Sequence, residues 1–267
     1  FLYLAHWAPH TPLQALKEDY DALPHIELHR ERVYAAMIRA LDRGVGAVTQ
    51  ALKDNGLDEN TLVIFTSDNG GAGYIGLPEI NQPYRGWKIT FFEGGIHVPY
   101  FMKWPGKIAP GTTYDEPVHH FDIFATAAGA AKAEEITDRK MDGVNLLPYV
   151  TTSQVGSTTN VPLGAPHESL FWKEGHYQVI ISGGWKLQRA DRPDKIWLFN
   201  LEDDPTEQIN VVAENPEIVA RLMAKLDDHM AEQMAPAWPA QLESAIRIDK
   251  TPDQPFEEGE EYIYWAN

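Results

Sequence analysis

The sequence has 267 residues, of which 43% are hydrophobic and 23% charged, a composition typical of a globular protein with one or two cores. Its 39 acidic and 22 basic residues give a formal net charge of -17, which argues against nucleic acid or an anionic membrane as a partner. It contains no cysteine, so disulfides, thiolate zinc sites and a cysteine nucleophile are excluded within this chain.

The first part of the chain predicts alternating strands and helices. The apolar run at residues 1–5 predicts a buried strand with no polar lead-in, so we expect the chain to begin within a domain. Residues 61–66 predict a second buried strand, and the order strand, helix, strand favours a right-handed crossover in a largely parallel sheet. The intervening helix, from about residue 26 to 55, is predicted by apolar residues at spacings of three and four: Val33, Met37, Leu41, Val45, Val48 and Leu52.

The remainder predicts a change of architecture. Residues 96–104 favour a further strand and residues 120–131 a short helix, followed by a Thr-, Ser-, Gly- and Pro-rich linker at 151–166. Beyond it we expect an antiparallel sheet, a helix at 216–230 and an acidic surface tail from residue 251, with strands at 177–181, 185–189 and 196–201. The predicted domains are therefore residues 1–150 and 151–267.

The turn after the second predicted strand carries candidate metal ligands. Asp68 and Asn69 stand side by side before two glycines, where open α/β sheets place their ligand sites. A carboxylate and an amide oxygen suit Ca²⁺ or Mg²⁺. An ordinary turn capped by Asp and Asn also explains these residues, and from residues 67–71 alone it is the favoured interpretation.

Two basic residues are candidates for contacts to a tetrahedral anion. Lys88 lies among glycines and aromatics in the segment 85–99, where its ammonium could act as a point charge. His10 lies between two prolines after the first predicted strand. The alternatives are a solvated lysine and a histidine that merely packs.

In their order along the chain, these motifs resemble the second half of the sulfatase family. The resemblance covers nearly the whole chain, and it predicts part of a large mixed, mostly parallel sheet with flanking helices, plus a smaller C-terminal antiparallel sheet with a helix. The motifs that carry it are Ala8-Pro9-His10-Thr11-Pro12, Ser67-Asp68-Asn69-Gly70-Gly71, Arg85-Gly86-Trp87-Lys88, Glu93-Gly94-Gly95, Trp104-Pro105-Gly106, Met141-Asp142-Gly143, Gly184-Trp185-Lys186 and the run from Leu198 to Glu207.

The resemblance implies a metal-dependent hydrolysis of sulfate esters. Asp68 and Asn69 would be two ligands of a Ca²⁺ or Mg²⁺ ion, while His10 and Lys88 would contact the sulfate ester as catalytic residues. A metal ion and nearby cations stabilise the charge that spreads over a sulfuryl group in transfer. Either His10 or Lys88 could protonate the departing alkoxide.

The sequence departs from the family pattern in two ways. His97 stands where an Arg is expected before the Val-Pro pair, and we assign it no role. The family's formylglycine, made from Cys or Ser with Pro two residues on and Arg four residues on, has no precursor here, and the paired N-terminal Asp ligands are also missing. With two of the expected ligands, this chain alone is predicted to bind metal weakly and to be inactive.

Several interpretations of the function stay open. The first is the C-terminal part of a sulfatase acting on an aryl sulfate or a sulfated carbohydrate. The alternatives are a phosphate or phosphonate ester hydrolase of the same superfamily and a non-catalytic carbohydrate-binding remnant. We expect no nucleic-acid or membrane partner, association through an exposed sheet edge, and, from the family alone, a periplasmic or secreted location.

Overall fold

The computed structural model describes residues 1–134, 137–151 and 164–266. The helices are α1 (Lys17–Asp21), α2 (His29–Asp54), α3 (Glu93–Ile96), α4 (Asp122–Ala130), α5 (Leu147–Val150) and α6 (Pro216–Ala231). The strands are β1 (Val63–Thr66), β2 (Tyr100–Lys103), β3 (Leu170–Glu174), β4 (Tyr177–Ser182), β5 (Trp185–Asp191), β6 (Asp194–Asn200), β7 (Glu243–Arg247) and β8 (Tyr262–Ala266).

The described strands form three sheets. β1 pairs with β2, β3 to β6 form a four-stranded antiparallel sheet in sequence order, and β7 pairs antiparallel with β8. The protein is therefore mixed α/β, with a C-terminal antiparallel sheet and a helix, as predicted. No helix in the described ranges is long and apolar enough to span a membrane.

The chain divides into two compact units, of which the first comprises residues 1–63 and 103–106. In this unit the predicted helix is confirmed as α2, which begins at His29 and ends at Asp54. Helix α1 is fastened to it by the buried carboxylate of Asp19, which pairs with Arg43 at 2.6 Å and with Arg39 at 3.2 Å. The predicted apolar face of α2 is half-buried or buried along its length.

The strand predicted at residues 1–5 does not form. These residues pair with no described strand, and Phe1, Leu2 and Tyr3 are 102, 74 and 81% exposed. The prediction was wrong because apolar composition does not make a strand unless a neighbour satisfies the backbone N–H and C=O groups. Without it, the predicted crossover lacks its first strand in the described chain.

The second unit comprises residues 64–102 and 107–267, and the four-stranded sheet forms its centre. Strand residues alternate between its two faces, so each face has its own apolar cluster. The outer face packs against α6 through Ile180, Leu187, Leu198, Leu222 and Leu226. The inner face packs against β7, β8 and the segment before α3 through Tyr177, Val179, Ala190, Trp197, Phe199, Phe92, Ile248 and Ile263.

Most predicted elements of the second unit are confirmed, with corrections at three places. The strand predicted at 96–104 is confined to Tyr100–Lys103 and follows the helical turn Glu93–Ile96. Strands β3 and β7 have no counterpart among the predicted elements. The acidic tail is not simply a surface segment, because β8 pairs with β7 and buries Ile263.

The predicted linker and the domain boundary within it stay predictions. Residues 152–163, most of that linker, lie outside the described residues. The predicted association through an exposed sheet edge also stays a prediction.

Candidate functional site

The turn that follows β1 presents the two predicted metal ligands. Asp68 is exposed, and no described residue donates a hydrogen bond to its carboxylate. The Asn69 amide donates through Nδ2 to the Gly70 carbonyl at 2.9 Å, which leaves its Oδ1 as an acceptor without a described donor. Two hard oxygens are thus available from adjacent residues, and this donor set fits Ca²⁺ or Mg²⁺.

Glycines bring this turn against the segment that carries Lys88. The Gly70 amide donates to the Gly95 carbonyl at 2.9 Å, and a Cβ at Gly70 would lie 1.8 Å from the Gly94 carbonyl oxygen. Gly94 in turn lies so close to the Gly86 carbonyl oxygen that an added Cβ would be 2.3 Å away. Backbone therefore packs directly on backbone here, which a larger residue would prevent.

Lys88 lies at this contact. Its amide donates to the Gly71 carbonyl at 3.0 Å, which fixes its backbone beside the Asp68-Asn69 turn. The side chain is half-buried, and its ammonium has no hydrogen-bond or ion-pair partner among the residues that the structure describes. The next residue, Ile89, has a φ of 89°, an unfavourable conformation for a β-branched residue. Such backbone strain is concentrated at functional sites.

The neighbouring Arg85 has a structural role instead. Its guanidinium donates two hydrogen bonds to Asp249, both at 2.6 Å, and also bonds to Glu261 at 2.5 Å. It also lies over the Phe92 ring, 4.7 Å from the ring centroid. Because its donors are engaged, Arg85 fastens the start of the segment to the C-terminal residues of the chain.

A buried charge cluster fastens the other end of the segment to the inner face of the sheet. Lys186, fully buried on β5, pairs with Glu93 at 2.7 Å and with Glu207 at 2.9 Å. Glu207 also accepts from the Glu93 amide at 2.5 Å and from the Gln188 amide at 3.0 Å. His97, at the exposed end of the cluster, donates through Nδ1 to Glu93 at 2.8 Å. His97, which stands where an Arg is expected, thus contacts a carboxylate.

The two carboxylates that share the Lys186 ammonium differ in acidity. Burial alone would raise the pKa of Glu93, but the Lys186 ammonium and the contact with His97 outweigh it and lower that pKa to about 2. Burial raises the pKa of Glu207, although Lys186 opposes the shift. Glu93 therefore has the stronger preference for the ionised form.

A histidine from the loop before α4 supports the turn from another side. His120 donates through Nε2 to the Ser67 carbonyl at 2.8 Å, one residue before Asp68. The adjoining α4 is held by the buried Asp122, to which His167 donates at 2.9 Å. The sequence predicted no role for these histidines, and no spacing pattern signals one.

His10 belongs to the first unit and is described there by itself. Its Nδ1 donates to the Thr11 carbonyl at 2.9 Å, and its exposed ring makes an edge contact with Trp7, with 5.4 Å between centroids. Because Nδ1 is the donor, Nε2 is left to accept a proton or, once protonated, to donate one.

The structure thus brings Asp68, Asn69 and Lys88 onto adjoining backbone segments, while their predicted roles stay predictions. Among the described ranges, no group of three or more His, Asp, Glu or Cys side chains is arranged to hold a metal ion. Sequence reasoning missed Asn81, whose amide accepts from the Gly71 N–H at 2.7 Å.

Comparisons with known proteins agree with this fold. The sulfatase family model matches residues 1–133, and the model for the C-terminal region of N-sulphoglucosamine sulphohydrolase matches residues 86–235. The two matches together cover both motif segments and the C-terminal sheet. The chain belongs to the sulfatase family, within the alkaline-phosphatase-type hydrolases.

Individual relatives are sulfatases. The chain is 37% identical over 172 residues to the uncharacterized sulfatase YdeN of Escherichia coli, covering 64% of this chain and 29% of that protein. It is 30% identical over 266 residues to human N-acetylgalactosamine-6-sulfatase, covering 90% and 49%. The chain therefore spans half or less of the length of these curated relatives.

Among solved structures, Ps i-CgsB matches with a TM-score of 0.78 at 32% identity, covering 89% of this chain and 51% of the other. A second crystal structure of Ps i-CgsB contains k-i-k-neocarrahexaose, and it matches with a TM-score of 0.76 at 31% identity, covering 86% and 50%.

Proposed function

We propose that this chain supplies the metal-binding turn and the sulfate-contacting lysine of a metal-dependent sulfatase that acts on a sulfated carbohydrate. The observation that carries the proposal is the glycine contact, which holds the Asp68-Asn69 turn against the segment that bears Lys88. The proposal is supported by the membership of the chain in the sulfatase family, by the free oxygens of Asp68 and Asn69, and by the unpaired ammonium of Lys88 among the described residues.

The chemistry follows from the charge of the ester. A bound Ca²⁺ or Mg²⁺ ion would supply Lewis-acid polarisation of the sulfate oxygens. Asp68 and Asn69 would hold it through their free oxygens, and Lys88 would stabilise the charge that develops at the leaving oxygen. Lys88 could also supply the proton for the departing alkoxide. That His10 contacts the ester, or supplies this proton instead, stays a prediction from the sequence.

A carbohydrate substrate is favoured over a simple aryl sulfate by two relatives. Ps i-CgsB has been crystallised with an oligosaccharide, and the human relative is named for a sugar sulfate. An aryl sulfate remains useful as a chromogenic probe. A periplasmic or secreted location is part of the same proposal.

The test is ester hydrolysis by the protein in the form that its gene encodes, with Ca²⁺ and matched 4-nitrophenyl sulfate, 4-nitrophenyl phosphate and a sulfated oligosaccharide. We expect the sulfates to be hydrolysed, and Lys88→Ala to lower the rate roughly 10² to 10³-fold, as for other positioned electrostatic contacts. The matched control is Lys107→Ala, which removes an exposed lysine outside both motif segments and should leave the rate unchanged.

Other outcomes would assign a different function. Preferential hydrolysis of the phosphate would support a phosphate or phosphonate ester hydrolase. Oligosaccharide binding without turnover of any ester would support a non-catalytic carbohydrate-binding protein. Residues 1–267 alone should show no turnover and no micromolar Ca²⁺ affinity by calorimetry, because two ligands are too few for a cation that takes six to eight.

A further inference from the structure

We propose that Asn81 is a positioning residue that holds the Asp68-Asn69 turn and the Lys88 segment in one fixed arrangement. The inference rests on the proposed function, since it concerns the same site. Asn81 itself contacts neither a substrate nor a metal ion in this proposal. It acts through the backbone on either side of the candidate ligands.

The Asn81 amide exchanges two hydrogen bonds with a single residue of the turn. Its Oδ1 accepts from the Gly71 N–H at 2.7 Å, and its Nδ2 donates to the Gly71 carbonyl at 3.0 Å. The orientation of the amide is fixed, because a backbone N–H can only donate and a carbonyl can only accept. Gly71 lies two residues after Asn69, so this pairing sets where the turn ends.

The same side chain also reaches the second segment. Nδ2 of Asn81 donates to the Gly86 carbonyl at 3.3 Å, two residues before Lys88. The Gly71 carbonyl that Asn81 bonds also accepts from the Lys88 amide at 3.0 Å. Among the described residues, Asn81 is the one side chain with hydrogen bonds to the backbone of both segments.

The space around the Asn81 amide explains why the residue it contacts is a glycine. A Cβ added at Gly71 would lie 2.9 Å from Oδ1 of Asn81 and 2.8 Å from the side chain of Ile80. Glycine at this position therefore leaves the room that the amide occupies. The direct bond from Gly70 to Gly95 fixes the distance between the segments, and Asn81 adds the directional bonds that fix their relative orientation.

Substitution by Asp tests the two donated bonds with almost no change of shape. Asn81→Asp keeps an acceptor for the Gly71 N–H but places a carboxylate oxygen against the carbonyls of Gly71 and Gly86. The matched control is Asn210→Asp. Asn210 exchanges the same kinds of bond with β6, accepting from the Leu198 amide at 3.0 Å and donating to the Ile196 carbonyl at 3.1 Å.

Two measurements on the protein in the form that its gene encodes decide the matter. The first is amide hydrogen exchange of peptides that cover residues 67–71 and 85–90. The second is the Ca²⁺ concentration that half-saturates sulfate ester hydrolysis. For Asn81→Asp we expect faster exchange in these two peptides and a half-saturating concentration raised about 10 to 100-fold, the usual effect of losing a residue that orients metal ligands. Asn210→Asp should change both by less than about twofold, since its contacts lie on β6.

The contrary results are equally defined. Unchanged exchange in both peptides would overturn the inference, and so would equal changes in the two variants, which would indicate a general loss of stability. Absence of any Ca²⁺ dependence in the unsubstituted protein would instead overturn the proposed function. In that case hydrogen exchange still decides whether Asn81 holds the two segments.

Discussion

The inner face of the four-stranded sheet and the glycine-rich loops each contain a lysine, in opposite situations. Lys186, in the sheet, is fully buried and lies between the carboxylates of Glu93 and Glu207. Lys88, in the loops, is half-buried and lacks a described partner, and the nearby carboxylate of Asp68 lacks one as well. The charges that stabilise the fold are paired in the interior, whereas the charges that we propose to act in catalysis have no partner among the described residues.

We expect this difference to distinguish residues that stabilise the fold from residues that take part in the proposed function. The segment from Arg85 to His97 is fastened at one end by Arg85 and at the other by Glu93, so its charged termini serve the fold. Lys88 lies between these anchors, on backbone that glycines and Asn81 hold in place. Substitutions in the two classes should therefore change different measurements.

The largest effect on stability should come from Lys186→Met. The substitution removes the ammonium that the buried carboxylates of Glu93 and Glu207 share, and breaking a buried ion pair typically costs about 3–5 kcal/mol. Lys88→Met, in contrast, should change the free energy of unfolding by less than about 0.5 kcal/mol, because no partner is lost. Urea denaturation of both variants measures the difference. Equal effects on the free energy of unfolding would remove the distinction between the two lysines.

An intermediate effect is expected from Gly70→Ala. The added methyl group would lie 1.8 Å from the Gly94 carbonyl oxygen, so the two segments must separate, at a typical cost of about 1–3 kcal/mol. Gly46→Ala is the matched control, because no atom lies within 4 Å of its Cβ position and α2 should gain about 0.5–1 kcal/mol from it. Thermal unfolding distinguishes the two, and a stabilised Gly70→Ala variant would contradict the packing described.

A pH-dependent effect should come from Glu93. Its pKa is about 2 in the folded protein, against an ordinary 4.5, so its stabilising contribution is complete above pH 4.5 and is lost as the pH falls toward 2. The urea midpoints of the unsubstituted protein and of Glu93→Gln should therefore converge over this range. His97, Lys186 and Glu207 surround the side chain of residue 93 in both proteins. A constant difference between the midpoints would exclude this role for the Glu93 charge.

The elements that could be predicted from sequence are those with a regular apolar period. The spacing of apolar residues predicts helices α2 and α6 and strands β4 to β6. The same residues then form the packed faces of these elements. β8 could not be predicted, because acidic residues precede it and their partners lie far along the chain. Glu261, for example, pairs with Arg85. The segment at residues 1–5 shows the converse, since it has strand composition without a strand to pair with.

The site was predictable where it consists of a motif and not where it consists of a contact. Asp68, Asn69 and Lys88 lie in runs whose glycines and resemblance to sulfatases draw attention to them. Asn81 stands alone in a loop, and its importance depends on two carbonyls that no sequence pattern brings together. The sequence does not predict the Lys186 cluster either, because a lysine in a strand normally indicates a solvated face.

The glycine contact also determines how this protein would respond to random substitution. Gly70, Gly94 and Gly95 contribute no functional group, yet backbone atoms already occupy the volume that any side chain on them would need. A mutational scan scored by activity would therefore rank these positions with the candidate ligands. Intolerance at such positions reports a lack of space, and it would identify chemically silent residues as catalytic unless stability were scored alongside.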